Sequence, residues 1–176
     1  MPIPDIAVRG AASRATLLRI YCNDHLAGAA GGLALARRCR DSNRGTSVGA
    51  DLIWVADELA EDRASLLAIM RDLQIPPDLV KQAGVAVLER VGRLKLNGQL
   101  SGYSDLSRLL ELEALAVGIA AKRDLWVSLQ QLCEALPALT GHDLDGLVQR
   151  ATRQRETVEG HRVEAARIAL RPVSSS

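Results

Sequence analysis

The chain has 176 residues, 48% of them hydrophobic and 24% charged, with two Trp, two Tyr and no Phe. This balance excludes a disordered chain and suits one domain with an aliphatic core, while the scarcity of aromatics speaks against an all-β sandwich or barrel. A formal net charge of +1 gives no reason to expect nucleic acid or an anionic membrane as partner.

In chain order, residues 1–11 read as a flexible leader, 12–171 as a single domain and 172–176 as a disordered tail. Helical periodicity predicts a first long helix over about 12–40, closed by the loop 41–45. A second runs from about 48 to 73 and stops at Pro76-Pro77. A shorter helix over about 78–93 follows, carrying the stripe Leu79, Val80, Ala83, Val87, Leu88 and Val91. Asn97-Gly98 then marks a tight turn. The third long helix is expected from Ser104 to Leu136, before Pro137. The fourth is expected over about 143–171, with Thr140 or Asp143 as N-cap. Short loops within each pair imply two antiparallel hairpins, and the long middle connection implies an all-α, antiparallel four-helix bundle with one crossover.

No run of about 18 apolar residues is present to span a membrane, and the first residues lack a signal-peptide pattern, so the expected location is cytoplasmic. Cys22, Cys39 and Cys133 form no CxxC pair and read as buried thiols in a reducing compartment.

The informative positions are polar residues on apolar seams. The second helix repeats Leu52, Val55, Leu59, Asp62, Leu66, Ile69, Leu73, with a carboxylate in the middle. The first reads Leu18, Tyr21, His25, Gly28, Gly32, Leu35, Cys39, with an imidazole in the middle. The fourth carries Gln154 and His161 on its seam. The third admits two phases, one with Glu113 and the other with Lys122. If the first loop is centred near residue 44, His25 lies level with about residue 63, next to Asp62. By the same reasoning His161 lies between Glu113 and Lys122.

Buried ions must be paired or bind metal. The simplest reading is a structural polar layer, His25 with Asp62 and His161 with Glu113. The sharper one is a metal centre for Fe, Mn or Zn built from His25, Asp62, Glu113, His161 and Glu58. An organic ligand, or a haem between His25 and His161, is a third possibility; without CxxCH no haem is attached covalently.

Mid-helix His and carboxylates on two hairpins joined by a crossover resemble the ferritin-like superfamily over residues 12–171. The stretches Asn23-Asp24-His25-Leu26-Ala27-Gly28, Gly92-Arg93-Leu94-Lys95-Leu96-Asn97-Gly98 and Glu111-Leu112-Glu113 are similar to a bacterial ferritin-like group without the full di-iron motif. The resemblance implies a ferritin-like bundle. Di-iron members take a Glu from two helices and Glu-x-x-His from the other two. Here Glu113 holds a Glu position, the second helix has Glu58 and Asp62 without a His, and Val158 precedes His161 by three residues.

Three functions follow as expectations. The first is a non-catalytic or degenerate binding protein with a buried His/carboxylate centre that could hold a metal. The second is an atypical metal-dependent oxidoreductase. The third is a dimeric helical scaffold for a protein partner, suggested by Ile53, Trp54 and Leu67 beside the second seam. Gly28-Ala29-Ala30-Gly31-Gly32 has no phosphate-loop context and reads as room for a neighbouring helix, such as 78–93. The arginine clusters near 37–44 and 150–155 read as solvated faces, and His142 as a cap or a solvated loop residue.

Overall fold

The computed structural model describes residues 13–78 and 103–172. They form α1 (Arg14–Ser42), α2 (Ser47–Asp72), α3 (Asp105–Gln130), a 3-10 turn (Pro137–Gly141) and α4 (Leu144–Ala169). Among the described residues there is no strand, so this part of the chain is all-α, as expected. No helix of the described residues is long and apolar enough to cross a membrane. The leader expected over 1–11 and nearly all of the short helix expected over 78–93 lie outside the described residues.

Each long helix starts on a side chain able to accept from its orphan N–H groups. Ser13, Thr46, Ser104 and Asp143 accept from the backbone N–H groups of Thr16, Gly49, Ser107 and Gly146. Asp143, not Thr140, is therefore the cap of α4. The third helix ends six residues before its expected end at Leu136. Leu136 precedes Pro137, whose ring disfavours a helical residue before it, and Leu136 stands at φ −130°, ψ 81°. The chain tightens instead into turns, and the 3-10 segment inserts Leu139 fully into the core.

Contacts between helices fix their directions. Arg38 meets Glu111 and Tyr21 meets Ser128, so α1 and α3 are antiparallel. Asp51 meets His161 and Glu61 meets Arg150, so α2 and α4 are antiparallel as well. With α1–α2 and α3–α4 as hairpins, α2 and α3 run in the same direction. Residue 78, beside Asn23 of α1, and residue 103, beside Cys39, accordingly lie at opposite ends of the bundle.

The α2 seam is buried as its spacing requires, from Leu52 through Val55, Leu59, Asp62, Leu66 and Ile69. In α3 the phase with Lys122 faces inward through Leu112, Leu115, Ile119, Trp126 and Leu129; of the other phase Leu109 and Ala116 are buried as well, and Leu106 is exposed. The α1 seam is displaced by one residue from expectation at Tyr21, His25 and Leu35. Cys22, Leu26 and Ala36 beside them are fully buried, while His25 is half-buried and Gly28 exposed; Cys39, a member of the expected seam, is fully buried. Gly49 admits the α1–α2 loop, because a Cβ there would overlap the carbonyl group of Asn43.

Candidate functional site

Three helices meet at a buried polar layer. Asp62 of α2 is 1% exposed. Lys122 of α3 donates from Nζ to Asp62 Oδ2 and to Gln154 Oε1. Gln154 of α4 donates from Nε2 to Glu58 Oε2 at 2.8 Å and to Asp62 Oδ2 at 3.2 Å. The Arg150 guanidinium places Nε 3.0 Å from Asp62 Oδ1, an ionic contact without the alignment of a hydrogen bond. Arg150 also donates to Glu61, and Arg153 to Glu58. Burial pushes the Lys122 ammonium below the usual lysine range, and the neighbouring Asp62 opposes that shift.

The expected ligands are dispersed. Only Glu58 and Asp62 share this layer. His25 stands on α1 with its ring edge-on to Tyr21, 4.6 Å between centroids. Burial lowers its pKa, with Asp24 and Asp124 pulling the other way. His161 Nε2 lies 2.8 Å from Asp51 Oδ2, and Glu113 lies 3.7 Å from Arg162. The pairings expected for His25 with Asp62 and for His161 with Glu113 are thus replaced by Lys122 and Arg150 at Asp62, and by Asp51 at His161. The reason is geometric. The one-residue displacement of α1 turns His25 to the flank, and long cationic side chains reach the carboxylate first. Among the described residues, no group of three or more His, Cys, Asp or Glu side chains is placed to hold a metal ion. His142 bonds to Asp72 at 3.1 Å and ties the loop before α4 to the end of α2.

Seam reading identified Lys122 and Gln154 as polar seam residues but not as the partners of Asp62. A lone cation on one seam opposite a lone carboxylate on another was the available signal. Arg150 carried no such signal, since it lies beside its seam and arrives only through the length of its side chain.

Beside this layer a cavity of about 320 Å³ opens between α1 and α3, floored by Leu59, Asp62 and Leu66 of α2. His25, Lys122 and Trp126 also line it. Trp126 is 1% exposed, and its indole N–H has no hydrogen-bond partner.

The cysteines serve packing. Cys22 and Cys39 are fully buried, and desolvation pushes each thiol up to about 11. Cys133 is only half-buried. At pH 8, native protein should show one thiol reacting readily with a disulfide reagent, and denatured protein all three. Rapid native reaction of Cys22 or Cys39 would refute their burial.

Comparison with family models, with curated proteins and with solved structures finds no match to this chain.

Proposed function

We propose that the protein is a ferritin-like bundle acting as a non-catalytic binding protein, its mid-bundle charges fixing helix register and its α1–α3 cavity receiving a ligand. The observation that carries this reading is the state of Asp62. Both of its carboxylate oxygens face cations, Lys122 on one and Arg150 on the other. A divalent ion approaching that carboxylate would meet two fixed positive charges, so the layer satisfies itself without a metal. An internal charge network of this kind holds three helices in one register, a role well attested for buried polar groups.

Elemental analysis of protein purified without an affinity tag or chelator tests the proposal. The expected result is folded protein without stoichiometric Fe, Mn or Zn. Near-stoichiometric metal, lost in a His25→Ala/His161→Ala variant, would overturn it in favour of an atypical metal-dependent oxidoreductase.

A further inference from the structure

We infer that the cavity between α1 and α3 binds a small, uncharged molecule with an apolar body and a hydroxyl head, the hydroxyl being held by the imidazole of His25. This inference rests on the reading of the bundle as a binding protein and specifies its ligand.

The room comes from absent side chains. Tyr21 meets Ser128 and Arg38 meets Glu111, so along these antiparallel helices Gly28 stands level with Ala121, Gly32 with Val117 and His25 with Asp124. Small residues thus flank the cavity from both helices, and a Cβ built at Gly28, Gly32 or Gly118 would meet nothing within 4 Å. The volume of about 320 Å³ lies at the lower end of small-molecule sites, about 300–1,000 Å³. Leu59, Leu66, Leu115, Ile119 and Leu125 line it, and such walls call for a hydrocarbon body.

Of the polar side chains that line the cavity, Tyr21 is taken by Ser128, while Asp62 and Lys122 take each other. Asp24 and Arg63 are engaged as well. His25 is the exception. Its ring rests edge-on against Tyr21, and neither ring nitrogen has a hydrogen-bond partner among the described residues. The side chain is only half-buried and neither nitrogen is sealed from solvent, which leaves the ring open to a molecule in the cavity. Burial holds the imidazole pKa below its usual value, so at neutral pH the ring carries one N–H donor and one acceptor nitrogen. A hydroxyl can pair with whichever nitrogen it meets, donating to the acceptor or accepting from the N–H, and it brings no charge. A carboxylate could only accept, and the negative charges of Asp24 and Asp124, both acting on this ring, would repel it. An ammonium could only donate, with Arg63 and Lys122 lining the same cavity.

Octanol, octanoate and octylammonium share one hydrocarbon body and differ in the head, and each can be titrated calorimetrically into the full chain at neutral pH. The alcohol is expected to bind the wild type most tightly. His25→Phe, which keeps a ring against Tyr21 and removes both nitrogens, should weaken that binding about tenfold. Gly118→Leu should fill the cavity and abolish binding, while thermal melting shows it folded; full affinity in that variant would place the alcohol elsewhere and overturn the inference. Tighter binding of octanoate or octylammonium than of the alcohol would overturn the hydroxyl head, as would unchanged affinity in His25→Phe. No binding of any probe up to its solubility would overturn the inference altogether. Metal content in the elemental analysis decides the non-catalytic reading separately, so the two failures are told apart.

Discussion

Asp62→Ala is expected to destabilise the protein by about 3–5 kcal/mol, the usual cost of removing one partner from a buried ion pair. Lys122 would be left desolvated, with the Gln154 carbonyl as its hydrogen-bond acceptor and Glu58 as the carboxylate still acting on it against Arg150, and Arg150 would lose the carboxylate beside its Nε. The large loss measures what is left behind, not the net worth of the pair. Replacing both partners together should separate the two. Asp62→Leu with Lys122→Met removes the stranded charge and keeps side-chain volume, so the double variant should lie much closer to wild type than Asp62→Ala. Urea unfolding of the single and double variants provides the measurement. A loss below about 1 kcal/mol in Asp62→Ala would place that carboxylate in water, contrary to a buried pair.

Of the fold, the helices were legible because aliphatic seams, capping residues and prolines are local signals. The α2 seam from Leu52 to Ile69 is buried member by member, and Ser104 and Asp143 cap the helices they were expected to begin. The end of α3 was less legible, because the burial of Leu139 is a tertiary demand that periodicity before Pro137 does not announce. In α1 the small residues from Ala27 to Gly32 blur the seam. Either of two adjacent phases places apolar atoms inward, and only packing against α2 and α3 selects Cys22 and Leu26 over Tyr21 and His25. That displacement decides the site. Asp62 was legible as a buried ion needing a partner, but the partner depended on which way α1 turned and on how far arginine and lysine reach. The cavity was legible only as room beside Gly28 and Gly32. The unpartnered indole N–H of Trp126 is a property of three-dimensional packing, and nothing in the residue's spacing foretells it.

Asn43→Ala is expected to cost about 2–3 kcal/mol, because one buried amide joins three segments and each hydrogen bond lost there strands a polar group. Asn43 is 2% exposed. Its Nδ2 donates to the Cys39 carbonyl at 2.7 Å and to Tyr103 Oη at 3.0 Å, and its Oδ1 accepts from Arg108 Nε at 2.7 Å. Tyr103 in turn donates to Glu111 at 3.0 Å, and Arg38 donates to the other oxygen of that carboxylate at 2.8 Å. The chain from the α1–α2 loop through Tyr103 to α3 therefore has Asn43 as its first member. The Cys39 carbonyl keeps the backbone N–H of residue 43, so the loss falls mainly on Tyr103 and Arg108. Arg108 retains Asp105 at 3.3 Å and access to water, which limits its share. The phenol keeps Glu111 as its acceptor and loses the Asn43 amide that donates to its oxygen. Tyr103→Phe should consequently couple to Asn43→Ala, with the double variant less destabilised than the sum of the singles by at least about 0.5 kcal/mol. Strict additivity in a denaturation cycle would dissolve the network into independent contacts, and a loss below about 0.5 kcal/mol for Asn43→Ala would show the amide solvated rather than buried.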